Sequence, residues 1–498
     1  MIARLVPALR RARAALPKTA AAVLVAVVAV VAFPAVADAH GGLIGRSDLP
    51  LPNWLLAWGC ALLLVGSFAG LVLLWQEPRL EGDTWRPVKG FFGAFVTNPA
   101  TSAFFGLFSA LLLVLVIYAG LEGTIAPDRN FSLTFVFVTF WLLLVGASVL
   151  FGNVFRALSP WRAIGRAVSG LFALVAKRRA PAPFEYPEWL GRWPAVAGLA
   201  GFIWFELVWG QSGFAVAGTT PHDVAVAAIV YSAITFIGMA LFGVDKWNDK
   251  GETFSVYFGM FASLSIFEMR DGKLGRSRLL ENSTRWAAGI PGSLALLIVT
   301  IGGTTFDGAQ EGRLKSAITS IYEKFADAGM DPTLSLRLTN TIFFALCVLF
   351  VAGIFWVGIR GMRVVGTQKS AGELGMLFAH CFIPIALAYL VAHYFSYVVY
   401  NEQAQFTYLL SDPLGEGKNF FGTAGTAIDY TVISGVTIQW VQFGAVVVGH
   451  AVALALGHDR ALAIFGGSRD ASWSQIWTLV MMLMFSMLAL WLLAGANA

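Results

Sequence analysis

Apolar runs of about twenty residues, divided by short polar loops, recur along the whole chain. A run of that length crosses the hydrocarbon core of a bilayer as an α-helix. The pattern predicts ten such spans, near residues 54–76, 102–121, 131–152, 194–216, 222–243, 286–306, 338–359, 373–400, 431–457 and 473–495. The fold class that follows is all-α: a polytopic transmembrane helix bundle, forming a single domain over residues 40–498. Three stretches carry a different pattern. Residues 254–267 are apolar but too short to span and are flanked by basic residues, as an interfacial or re-entrant segment is. Counting them as a span would invert every later helix, so they are placed on the cytoplasmic face. Residues 153–179 interleave Arg and Lys with Phe, Trp and Leu, the pattern of a helix lying on a membrane surface. Residues 306–337 set Ile318, Ile321, Tyr322 and Phe325 among Lys and Glu, which predicts an amphipathic cover over the outer mouth of the bundle.

Charge orients this pattern. The N-terminus has Arg4, Arg10, Arg11, Arg13 and Lys18, an apolar core over Ala20–Val36, and Ala37-Asp38-Ala39 before His40. That order predicts a cleavable signal peptide over residues 1–39. With His40 outside, every loop falling on the cytoplasmic side holds basic residues, among them Arg79, Arg86, Lys89, Arg156, Arg162, Lys369 and Arg460. The expectation is a bacterial cytoplasmic membrane protein with its mature N-terminus and its C-terminus outside. With 57% hydrophobic and 13% charged residues, the net charge of +5 belongs to these orienting loops and not to a nucleic-acid surface. The lipid bilayer is the predicted partner, and a second membrane subunit stays open. Cys60, Cys347 and Cys381 lie in apolar spans without metal-type spacing and read as packing residues.

Ionisable groups at membrane depth are costly and mark candidate sites. Glu206, in Phe-Ile-Trp-Phe-Glu-Leu-Val-Trp, is the deepest acid. It reads either as a proton-transfer or gating group or as a protonated acid bonded to a neighbouring helix. His380 and His393 share one predicted span but stand about 20 Å apart along it, facing nearly opposite sides. His380 pairs in depth with His450 on the following span, an arrangement open to haem ligation or to simple hydrogen bonding between helices. Near the outer face stand His393, Glu402, His222, Asp223, Asp307 and Asp429, with His40 if it begins the mature chain. Such a set of histidines and carboxylates suits a divalent metal that activates water. Helix capping explains Asp223 and Asp429 equally well.

The opening stretch from Ala39 to Pro52, AHGGLIGRSDLPLP, followed by a Trp- and Leu-rich span, resembles the start of a family of bacterial membrane proteins carried under the name fenitrothion hydrolase. Phe306-Asp307-Gly308 and the His380 to His458 region are similar to it too. The resemblance implies hydrolysis of an organophosphorus triester, a lipophilic small molecule. If the outer histidines and carboxylates hold a metal for that reaction, His40, His222 and His393 are its ligands, Asp307 a ligand or base, and Glu402 an orienting group. Two readings from other classes stand beside it. Ten spans with glycine-interrupted helices and an intramembrane Glu206 suit a transporter or permease, and His40, His380 and His450 suit a haem- or copper-binding redox protein.

Overall fold

A computed structural model of the protein describes residues 53–177, 181–210, 218–287, 289–310, 312, 314–365, 367–465 and 468–496. The predicted signal peptide and His40 therefore lie outside the described residues. Helix α1 (Asn53–Leu74) leads to strand β1 (Arg86–Pro87), α2 (Pro99–Glu122), α3 (Phe131–Phe151) and α4 (Pro160–Ala176). Then come α5 (Trp193–Trp204, continued by a π-turn over Phe205–Trp209), α6 (Pro221–Phe242), α7 (Thr253–Ala262) and a hairpin of β2 (Phe267–Arg270) and β3 (Lys273–Arg276). The rest is helical: α8 (Ser293–Gln310), α9 (Lys315–Asp327), α10 (Pro332–Met362), α11 (Ile383–Phe406), α12 (Gly435–Phe465) and α13 (Ser468–Ala496). Among the described residues, seven segments are long and apolar enough to cross a membrane: α2, α3, α6, α10, Ala371–Ser411 around α11, α12, and Asp470–Leu492 in α13. The protein is an all-α polytopic membrane bundle. Phe104, Leu107, Leu111 and Val114 recur at helical spacing on α2 and are exposed, as a lipid-facing stripe requires.

Local sequence explains where helices start. Asn98-Pro99, Ser159-Pro160, Thr220-Pro221 and Asp331-Pro332 each place a capping side chain before a proline that needs no donor. In the third, Thr220 and Asp223 form a reciprocal capping box, so Asp223 is occupied at the helix start. Because these caps precede the apolar runs, α10 begins six residues earlier than its hydrophobicity suggests. Proline also breaks the predicted span 373–400. Pro384 cannot donate to the carbonyl four residues back, and Ala379–Phe382 winds as a 3₁₀ turn between Ala371–Phe378 and α11.

Of the two expectations for the 254–267 piece, interfacial or re-entrant, burial fits the second: its helical part, α7, is sunk into the bundle. Phe254, Tyr257, Phe258 and Phe261 point around the helix and are all buried. Tyr257 stacks on Trp141 of α3 at 4.3 Å, and Phe254 meets Phe140 edge-on at 4.6 Å. Burial is tolerated because Glu252 accepts from the backbone N–H groups of Phe254 (3.1 Å) and Ser255 (2.6 Å). The chain leaves α7 through the β2–β3 hairpin, whose inner strand β3 also pairs with β1, giving the antiparallel order β1-β3-β2.

The core runs from α3 through α13. Helices α11 and α12 pack most closely at Gly449, where a Cβ would stand 2.4 Å from Ala388 Cβ and 2.8 Å from the Pro384 carbonyl oxygen. The far end of α12 clamps the loop after α1. Asp459 accepts from Trp75 Nε1 (2.9 Å), Arg79 N (2.5 Å) and Leu80 N (3.0 Å). His458 bridges the Gln475 side chain (2.5 Å) and the Trp75 carbonyl (2.7 Å), and Arg460 pairs with Glu81 at 2.9 Å. Cys60, Cys347 and Cys381 are buried free thiols, in keeping with packing roles.

Candidate functional site

Helix α8 is lined with Thr300, Thr304 and Thr305, whose hydroxyls all return to carbonyls four residues back on the same helix. Beyond these threonines, Asp307 is the polar group on α8 that reaches across to another helix. Its carboxylate meets two successive residues of α11. His393 Nε2 lies 2.8 Å from Oδ2, and the Tyr394 hydroxyl donates to the same oxygen at 2.5 Å. Gln310, one turn along α8, donates to Oδ1 at 3.0 Å. Successive helical residues diverge by about 100°, so the carboxylate sits between the two rings. The His393 and Tyr394 rings meet edge to face at 4.5 Å. The arrangement is enclosed but not sealed: the Asp307 side chain is 15% exposed and that of His393 29%.

Glu206 belongs to the same neighbourhood. It lies on the π-turn of α5, a wider helical turn that is common at functional positions. The turn ends at Trp209, whose carbonyl accepts Arg337 Nε at 3.1 Å while the guanidinium lies over the Trp209 ring at 4.0 Å. Glu206 is within electrostatic reach of Asp307, of Tyr394 and Tyr397 on α11, and of Tyr257 on α7. Tyr257 is wholly buried, and its hydroxyl has no partner among the described residues. Four helices thus bring two carboxyls, an imidazole and tyrosine hydroxyls together inside the bundle.

The remaining sequence candidates separate from this cluster. Glu402 accepts from Thr139 Oγ1 at 3.1 Å, and Thr139 lies on a second π-turn, Phe135–Leu143 of α3. Its other oxygen is buried without a partner among the described residues. His222 is exposed on the first turn of α6, beside the capping box. His380 is buried in the 3₁₀ turn with Nε2 3.5 Å from Cys381 Sγ. His450 is buried on α12, where Nδ1 donates to the Val446 carbonyl at 2.7 Å and Nε2 has no partner among the described residues. Among the described residues, no three His, Cys, Asp or Glu side chains stand close enough to share a metal ion.

Sequence reading found Glu206, Asp307 and His393 but missed Tyr257, Tyr394 and Gln310. Gln310 had a signal, three residues after Asp307, and Tyr394 adjoins His393. Tyr257 had none, since its role depends on α7 being buried. Compared with protein-family models, with curated protein sequences and with solved structures, the chain matches none.

Proposed function

We propose that the protein carries a small lipophilic solute across a bacterial cytoplasmic membrane, coupled to protons exchanged at Asp307 and Glu206. The observation that carries this reading is the shared acceptor: one oxygen of Asp307 on α8 takes hydrogen bonds from both His393 and Tyr394 on α11. A proton on Asp307 removes the charge that strengthens both hydrogen bonds and so weakens the hold of α8 on α11. Glu206, on the neighbouring π-turn of α5, would be the second carboxyl on this proton path. The buried half-helix α7 and the π-turns of α3 and α5 are irregular backbone inside a bundle, which transporters use to line a substrate path. Basic residues in the loops orient the chain with the Asp307 cluster toward the outer face and both mature termini outside, after removal of residues 1–39. The test is solute-driven proton movement in proteoliposomes, read by an internal pH dye. Uptake that survives both Asp307→Asn and Glu206→Gln would remove the reading.

A hydrolytic reading is favoured by the same pair. An imidazole held through Nε2 by a carboxylate presents Nδ1 as a base, and beside that nitrogen stands Gly308, with no side chain of its own. That chemistry suits the organophosphorus triester that the resemblance to fenitrothion hydrolases implies. Of the suggested metal ligands, Asp307 and His393 meet at 2.8 Å, and His40 lies outside the described residues. Turnover of a neutral aryl phosphate triester by protein in detergent, lost in His393→Ala, would favour this reading over transport. Metal content and a visible spectrum of the same sample test the metal, copper and haem alternatives.

A further inference from the structure

Away from the Asp307 cluster, a cavity of about 180 Å³ opens where α4, α5 and α7 converge with the turn before α4. Its walls carry Arg156, Arg162 and Arg192, against one carboxylate, Asp249. Arg192 is only 7% exposed, and no carboxylate lies within ion-pair distance of it among the described residues. Its Nη1 donates to the Trp286 carbonyl (2.9 Å) and to Ser293 Oγ (2.8 Å), and its plane lies over the Trp286 ring at 4.3 Å. Nε is buried and without a partner among the described residues. Arg162 is 8% exposed; it donates to the Arg156 carbonyl and reaches Asp245 only at 3.5 Å, the closer ion pair to Asp245 coming from Arg166 at 2.7 Å. Arg156 is paired with Asp249 at 3.1 Å, both half exposed. Burial draws Arg192 down to about 10, and burial together with the neighbouring guanidiniums of Arg156 and Arg166 does the same to Arg162, so both stay charged at neutral pH.

A buried guanidinium without a counter-charge is costly, and its planar fork matches carboxylate and phosphate oxygens. We propose that this cavity binds a phosphate-bearing anion, held by Arg192 and Arg162 from inside and by Arg156 at the mouth. Ser255 and Gly259 of α7 form part of the wall, one adding a hydroxyl and the other leaving room. Either a lipid headgroup or a free phosphate presents that chemistry. Helix α4, which supplies Arg162, exposes Val168, Leu171 and Phe172 as a surface helix does, so lipid headgroups are within reach.

The experiment uses the full chain, delipidated in mild detergent, and measures thermal stability and binding with inorganic phosphate, phosphatidylglycerol and phosphatidylcholine. A rise in melting temperature with phosphate and with phosphatidylglycerol supports a site open to free phosphate. A rise with phosphatidylglycerol alone supports a headgroup site. In either case Arg192→Gln weakens binding about tenfold or more, as loss of a charged hydrogen bond does. Should Arg192→Gln fail to fold, Arg156→Gln, at the half-exposed mouth, gives the same comparison with a smaller loss. No response to phosphate or phosphatidylglycerol in the unmodified protein overturns the proposal. Equal binding by the unmodified protein and the folded variants overturns it too.

Discussion

His393 Nε2 stands 2.8 Å from Asp307 Oδ2, a contact between residues 86 apart in sequence that ties α8 to α11. The same oxygen accepts Tyr394, so a neutral amide in its place keeps the shape and loses the charged acceptor. Asp307→Asn is expected to lower stability by about 1.5–3 kcal/mol, the range for hydrogen bonds to a charged group. Solute-driven proton movement should fall at least about tenfold. Thermal denaturation in detergent and the proteoliposome assay read the two effects separately. A variant as active as the unmodified protein would exclude Asp307 from the proton path.

Tyr257 offers the opposite signature. Its hydroxyl is buried without a partner among the described residues, so it adds desolvation cost and no hydrogen bond. Tyr257→Phe is expected to leave stability unchanged or raise it by up to about 1 kcal/mol. Activity should nonetheless drop if the hydroxyl faces the Glu206 and Asp307 carboxyls during turnover. Equal activity and higher stability together would make Tyr257 a packing residue.

The bundle was legible because twenty-residue apolar runs and basic loops are imposed by the bilayer itself. The half-helix α7 was legible only as one of two readings. Its length and flanks fit an interfacial or a re-entrant segment alike, and only the aromatic partners Trp141 and Phe140, distant in sequence, make burial favourable. Asp307 and His393 stood out as polar groups at the ends of apolar runs, yet their meeting depends on how α8 packs against α11, which periodicity does not encode. His458 and Asp459 show the converse. They too are polar groups at the end of an apolar run, and the structure uses them to hold the loop after α1.

That clamp can be tested independently of function. Asp459 is 1% exposed and accepts from two backbone N–H groups and the Trp75 indole. Asp459→Ala leaves these buried donors unmatched and is expected to cost roughly 3 kcal/mol or more. Chemical denaturation should show the loss. Asp459→Ala with native stability would mean that water serves the loop as well as the carboxylate does.

Close helix packing makes a separate prediction at Gly449. An added methyl would press on Ala388 Cβ at 2.4 Å and on the Pro384 carbonyl at 2.8 Å, neither of which is a flexible side-chain end. Helices α11 and α12 must then separate, so Gly449→Ala is expected to destabilise by about 1–3 kcal/mol. Because His393 rides on α11, a shift in that helix should also weaken the Asp307 contact. Lower activity than an equally destabilised Asp459 variant would reveal that coupling; equal activity would confine the effect to stability.

Helix α4 tests the membrane-surface placement. Val168, Leu171, Phe172 and Val175 recur at helical spacing and are each at least half exposed, while Arg166 on the other side pairs with Asp245. In water such a stripe would be an aggregation hazard, whereas at a bilayer surface it is buried among acyl chains. Tryptophan insertion would be unreadable against the chain's 17 tryptophans, but its three cysteines are buried and leave an introduced thiol as the accessible one. A fluorophore on Leu171→Cys should emit at shorter wavelength in proteoliposomes and be quenched by brominated acyl chains, and one on Arg166→Cys should show neither effect. The Arg166 substitution removes a half-exposed ion pair worth about 0–1 kcal/mol, so it serves as a folded control. Equal quenching at both positions would mean that α4 is enclosed by lipid on all sides and not lying at the interface. No quenching at either would place its apolar face against protein, in a partner subunit or a second copy of the chain.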